Sequence, residues 1–167
     1  MENHKLIEAL KYALDFEIKG EKIYRELASR SSDAFVKNTF NGLADDEVVH
    51  EKVIKEFMEG KADFSSLKRV TADPKRFFGT VAEEFKKRAK ADASKLKPFD
   101  TGIELEKKSI AYYTEQLKRA ETEETKKFFD FLIKQEKFHL ESLQKAKDFL
   151  SDPENFFVEF ERWTLEG

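Results

Sequence analysis

Apolar residues recur along this chain every three or four positions, the spacing that keeps side chains on one stripe of a helix. Four long helices follow from it. The first runs from about Glu2 to Ser29 and closes at Arg30-Ser31-Ser32, with a core-facing seam of Leu10, Ala13, Glu17, Gly20, Tyr24 and Leu27. The second has Ser32 or Asp33 as its N-cap and Gly60 as its stop, with the seam Phe40, Leu43, Glu47, His50, Ile54, Phe57. Lys97-Pro98 breaks the chain, and the third runs from about Phe99 to Ala120 on Phe99, Ile103, Glu106, Ile110, Tyr113, Leu117. Thr122 caps the fourth, which continues to about Leu150 on Phe129, Leu132, Glu136, His139, Leu143, Ala146, Leu150. Two Asp-Pro pairs predict further helices, since Pro is well placed in a first turn. Asp73-Pro74 opens one to about Ala93, with Phe77, Phe78, Val81, Phe85 and Ala89 on one face. Asp152-Pro153 opens a short one over 153–164 with Phe156, Phe157, Phe160 and Trp163. No alternation of useful strand length occurs. Each of the four long seams is apolar except at its middle, where Glu and His stand.

The seams repeat. Glu106 − Glu17, Tyr113 − Tyr24, Glu136 − Glu47 and His139 − His50 all equal 89, as do Phe129 − Phe40 and Leu132 − Leu43. One helical hairpin (2–60) is therefore duplicated (99–150), with 61–98 as the crossover between the copies. Either hairpin alone leaves its apolar face uncovered, so 1–167 reads as one all-α domain rather than two.

Composition narrows the class. The chain has 167 residues, enough for a core without staples. It contains no cysteine, which removes disulfides, thiol catalysis, Cys-ligated zinc and iron–sulfur or rubredoxin-type centres. A net charge of −3 leaves no basic field to hold nucleic acid. No apolar run approaches bilayer length, and MENHKLIEALKY lacks the layout of a signal peptide. A soluble, cytoplasmic protein without a membrane partner is expected.

The candidate chemistry lies in the mid-seam residues. Glu47-x-x-His50 and Glu136-x-x-His139 each put a carboxylate and an imidazole at i and i+3, on one helix face, where they can bind a common metal. Glu17 and Glu106 add one carboxylate each from the other two helices. One Glu from each of two helices plus Glu-x-x-His from each of the others is the ligand pattern of ferritin-like di-iron and di-manganese bundles. Glu makes up 23 of 167 residues, so either Glu-x-x-His alone is a weak signal; the shared offset, with two Glu-x6-Tyr pairs, strengthens it. The electrostatics agree: four ionised carboxylates among Leu, Ile, Phe and Tyr are prohibitively unfavourable unless compensated, and two divalent cations supply +4 against −4. Tyr24 and Tyr113 read as core aromatics, or as donors from each hydroxyl to a ligand carboxylate; both can hold. Asp15, Asp46, Glu51 and Glu104 flank these residues but fall off the seams and are expected to be solvated. His4 receives no role.

Ala13-Leu14-Asp15-Phe16-Glu17-Ile18-Lys19-Gly20 with Tyr24, and Glu47-x-x-His50, resemble the rubrerythrin branch of the ferritin-like di-iron carboxylate superfamily. Glu104-Leu105-Glu106 through Tyr113, and Gln135-Glu136-Lys137-Phe138-His139, resemble its second half. The resemblance spans about residues 5–148. It implies an up-down-down-up four-helix bundle with a long helical crossover, and the ligand set Glu17, Glu47, His50, Glu106, Glu136 and His139, with Glu47 and Glu136 bridging two iron ions (manganese or a mixed pair being the alternatives). Two departures stand out. Rubrerythrins proper carry a rubredoxin domain with two pairs of Cys, so here electrons would come from an external donor protein. Rubrerythrin peroxidases place a further Glu one turn after the third helix's ligand, where this chain has Ser109 followed by Ile110, so peroxidase chemistry by that ligand exchange is not expected.

Three functions remain in view. The first is a di-iron oxidoreductase reacting with hydrogen peroxide or dioxygen, in the service of oxidative-stress defence. The second is a protein that binds or oxidises iron without turnover, and the third a structural bundle with a vestigial site. The terminal aromatic helix either covers the bundle or makes a homodimer contact.

Overall fold

Of the four helices, the last three start where short polar side chains satisfy their first free backbone N–H groups. In the computed structural model, which describes residues 2–61, 90–156 and 158, the four are α1 (Glu2–Arg30), α2 (Ala34–Met58), α3 (Ala93–Arg119) and α4 (Glu123–Ser151). No strand occurs among the described residues. Asp33 accepts from Phe35 N at 2.9 Å and Val36 N at 3.2 Å to open α2. Asp92 accepts from Ser94 N and Lys95 N to open α3. Thr122 Oγ1 accepts from Thr125 N at 3.1 Å to open α4. α2 ends at Met58 with Glu59 as its C-cap, and Gly60 follows with φ 69°, the left-handed conformation in which glycine carries no Cβ penalty.

Two apolar clusters give the topology. One joins the end of α1 (Tyr24, Ala28), the start of α2 (Phe35, Phe40), the start of α3 (Phe99, Ile103) and the end of α4 (Leu143, Phe149). The other joins the start of α1 (Leu10, Ala13), the end of α2 (Val53, Ile54), the later part of α3 (Tyr113) and the start of α4 (Phe128, Phe129). α1 and α4 therefore run one way and α2 and α3 the other. The result is an up-down-down-up, ferritin-like four-helix bundle. The pairs are α1/α2 and α3/α4, with α1 also packed on α3 and α2 on α4. No helix among the described residues is long and apolar enough to cross a membrane.

The structure differs from the sequence reading in three places. α3 begins at Ala93 and continues through Pro98 instead of starting after it. Pro98 removes one bond, the one to the Ser94 carbonyl; the two Asp92 capping bonds and the packing of Leu96 and buried Phe99 against the core offset it. Residues 90–92 are not helical: Ala91 N donates to Leu150 O at 2.9 Å and Lys90 pairs with Asp152 at 3.4 Å. The expected helix therefore does not reach Ala93, and its stripe (Phe77, Phe78, Val81, Phe85, Ala89) lies outside the described residues. The seams also drift, because the 3.6-residue turn is not a 3.5-residue repeat. Ala28 is buried where Leu27 is half-buried, and Ser109 is buried where Ile110 is half-buried. Ser109 is the repeat partner of Gly20 (20 + 89), so a small residue stands at this point of both halves.

Residues 153–156 form a helical turn after Asp152, and Phe156 rests edge-on against Phe149 at 5.5 Å. Phe157, Phe160 and Trp163 lie outside the described residues.

Two glycines test the packing. An added Cβ at Gly42, mid-α2, meets nothing within 4 Å, whereas at Gly102 it would lie 3.0 Å from Leu143 Cδ1 and 3.3 Å from Tyr24 Cε1. Gly42→Ala should stabilise by about 1 kcal/mol through helix propensity. Gly102→Ala gains the same helical contribution but must displace two fully buried side chains, and should end about 1–3 kcal/mol less stable than Gly42→Ala. Thermal unfolding of the two variants checks this order.

Candidate metal centre

Between the two clusters each helix turns one or two ionisable side chains inward: Glu17 from α1, Glu47 and His50 from α2, Glu106 from α3, Glu136 and His139 from α4. All six are buried. The two imidazole rings lie nearly parallel, 5.2 Å between centroids and 23° between planes. His50 Nδ1 lies 3.1 Å from Glu17 Oε2, 3.2 Å from Glu47 Oε2 and 3.2 Å from Glu136 Oε1. His139 Nδ1 lies 3.4 Å from Glu136 Oε2, 3.6 Å from Glu47 Oε1 and 3.6 Å from Glu106 Oε1. Glu47 and Glu136 thus each turn one oxygen toward one histidine and the other oxygen toward the other. Glu17 serves only the His50 side and Glu106 only the His139 side.

The ligand atoms of Glu47, His50, Glu136 and His139 all lie within 4.8 Å of one another, a group that could hold a metal. Three inward atoms, Glu106 Oε2, Glu136 Oε1 and His139 Nδ1, are buried with no hydrogen-bond partner among the described residues. Buried polar atoms in a folded protein nearly always have partners, so orphans concentrated here fit a cation taking their lone pairs.

The tyrosines tie the two halves together. Tyr24 OH donates to Glu106 Oε1 and Tyr113 OH donates to Glu17 Oε1. Each tyrosine therefore holds the outer carboxylate of the other hairpin. Burial, then the adjacent Glu106 or Glu17 charge, pushes both phenols well above their ordinary range, which keeps them as donors. Both are also core aromatics: Tyr24 stacks on Phe40 at 5.8 Å and Tyr113 lies 6.3 Å from Phe129.

Of the four carboxylates expected on the surface, Asp15 and Glu104 are exposed and pair with Lys19 and Lys107, and Glu51, half-buried, pairs with Lys55. Asp46 differs. Its side chain is only 23% exposed, and its Oδ2 accepts from His139 Nε2 at 3.3 Å. It lies beside Glu47, but its repeat partner is Gln135 (46 + 89), so the duplication that marked the other residues does not mark this one. Ser109 adds no ligand atom, since its hydroxyl donates to the Leu105 carbonyl at 3.3 Å.

Burial and the neighbouring carboxylates push Glu17 and Glu106 well above the ordinary value of 4.5. Burial also opposes charge on Glu47 and Glu136, but hydrogen bonds to Glu47 and the His50 charge beside Glu136 outweigh it; Glu47 falls to about 2 and Glu136 well below 4.5. Burial opposes charge on the histidines too, yet the surrounding carboxylates raise both well above 6.5. Without a cation, these directions favour protons on Glu17, Glu106 and the two imidazoles, which offset the carboxylate charge.

Two pH effects follow. Glu17, Glu106, His50 and His139 bind protons more tightly folded than unfolded, so their contribution is present at low pH and lost as pH rises through the folded values. Glu47 and Glu136 contribute above 4.5 and lose it only in acid. The melting temperature of chelator-treated protein should therefore fall as pH is raised above 6.5. Loading divalent cations should release protons from those first four groups, measurable by calorimetry in buffers of different ionisation enthalpy. A melting temperature that rises with pH, or uptake without proton release, would contradict this charge assignment.

No curated protein and no solved structure matches the chain. The family model Rubrerythrin matches residues 8–147, which takes in both hairpins and every residue of the cage. With that match over most of its length, and a buried cage of four Glu and two His in the middle of a four-helix bundle, the chain belongs to the rubrerythrin family.

Proposed function

We propose that this chain is a non-haem di-iron oxidoreductase that reduces hydrogen peroxide or dioxygen with electrons from a separate donor protein. The observation that carries this reading is the orientation of Glu47 and Glu136. Each carboxylate faces both histidines, so cations on the two imidazoles would share both carboxylates as bridges, with Glu17 and Glu106 as the outer ligands. Four carboxylates balance two divalent cations, and a mixed oxygen and imidazole set suits iron or manganese over softer metals. Such a metal pair supplies two adjacent one-electron donors, matched to a two-electron oxidant.

The chain's own residues hold that arrangement and limit access to it. Tyr24 and Tyr113 fix Glu106 and Glu17 through their hydroxyl protons. The aromatic layers containing Phe40 and Phe99 on one side, and Phe128 and Phe129 on the other, exclude water above and below the cage. The 167 residues include no cysteine, so in this reading the electrons come from a carrier outside them. A second reading, iron binding or oxidation without turnover, draws on Ser109: its hydroxyl is committed to its own helix, so no spare ligand stands by to exchange.

Anaerobic Fe(II) loading should bind two irons per chain, and one equivalent of peroxide should then produce a diferric absorption that reductant reverses. The double variant Glu47→Ala/Glu136→Ala should bind neither iron. Two irons bound with no peroxide consumed would reject turnover in favour of the second reading. Iron bound equally by the double variant would reject both.

Chelation should lower the melting temperature of loaded protein, by about 2.7 kcal/mol of stability for each metal position whose free metal had been at a hundred times its dissociation constant. Unchanged melting would mean that the native fold holds no metal.

A further inference from the structure

The two halves of the cage match residue for residue inside and differ just outside. His139 has its inner nitrogen, Nδ1, among the carboxylates and its outer nitrogen, Nε2, on Asp46 Oδ2 at 3.3 Å. His50 presents Nδ1 in the same way, but its Nε2 is buried with no hydrogen-bond partner among the described residues. The residue that duplication would place against it is Gln135, which is buried yet makes no bond to that nitrogen.

A carboxylate on the outer nitrogen of a metal-binding histidine fixes the tautomer and the ring orientation and makes the inner nitrogen a better donor. Removing such a partner commonly lowers metal affinity 10–100-fold. We propose that Asp46 makes the two metal positions unequal, so that the position at His139 fills first and the one at His50 second. This rests on reading the cage as a two-metal site. Asp46 acts through His139 as a positioning residue and does not itself enter the cage. The consequence is a singly loaded form with a defined address, in which the first cation takes Glu106, both bridging carboxylates and His139.

Zn(II) titration of chelator-treated protein, followed by histidine ring NMR, tests the order. The chain has three histidines, and His4, exposed near the amino terminus beside Glu8, serves as an internal reference. The His139 signals should move over the first equivalent and those of His50 over the second. In Asp46→Asn the His139 step should weaken 10–100-fold, so the two move together or in reverse order while two equivalents still bind. Gln135→Glu, which offers His50 the missing carboxylate, should tighten the second step and narrow the gap; it also tests the idea if Asp46→Asn does not fold. His50 moving first or with His139 in the unsubstituted protein, or an unchanged order in a folded Asp46→Asn, would overturn the inference. Binding of no zinc by the unsubstituted protein would overturn the two-metal reading itself.

Discussion

The cost of burying like charges governs this molecule. An ionised carboxylate removed from water loses several kcal/mol of solvation that only close opposite charge and hydrogen bonds restore. Here four carboxylates meet between two layers of aromatic and aliphatic side chains. Two imidazoles inside the same cage answer half of that charge when protonated, and protons on Glu17 and Glu106 answer the rest. Two divalent cations would answer all of it at once and would also take up the lone pairs that protonation leaves unused. The surrounding fold is consistent with that exchange: rigid long helices hold the ligands, layers above and below keep water away, and the phenol donors are held by burial.

Duplication supplies two copies of each cage residue, and the crossing of the hairpins brings them into one cluster. Tyr24 of the first hairpin holds Glu106 of the second, and Tyr113 returns the bond to Glu17. Neither hairpin contains a complete half of the cage, because each histidine has carboxylate oxygens from both α2 and α4 around it. Folding and site assembly are therefore the same event. The symmetry stops at the outer nitrogens, where Asp46 and Gln135 differ in charge.

Much of this was legible in the sequence, for identifiable reasons. Burial of a Glu or His in the middle of an apolar stripe is visible as a break in periodicity, and the common offset of 89 shows that the four breaks belong together. The topology required the crossover length and the family resemblance, because periodicity does not orient helices. What spacing cannot carry is rotamer choice, so the turn of one Glu47 oxygen toward each histidine was available only from coordinates. Pro98 reads as a helix breaker on its own, and the Asp92 cap upstream with the Phe99 anchor beside it carries the helix through it. Ile110 was placed on the seam for its hydrophobicity, although the offset from Gly20 pointed to Ser109. Asp46 was missed because its repeat partner is not acidic and because a carboxylate beside a ligand on a charged helix resembles ordinary surface.

The central claim is that Glu47 and Glu136 are shared by two cations at the middle of the bundle. X-ray absorption of the iron-loaded protein, with anomalous diffraction to place the metals, tests it most directly. The account predicts two irons per chain about 3.5–4 Å apart, one on Nδ1 of each histidine, with both carboxylates spanning them. A single metal in the cage, or irons bound at the surface while Glu47 and Glu136 stay clear of them, would contradict it.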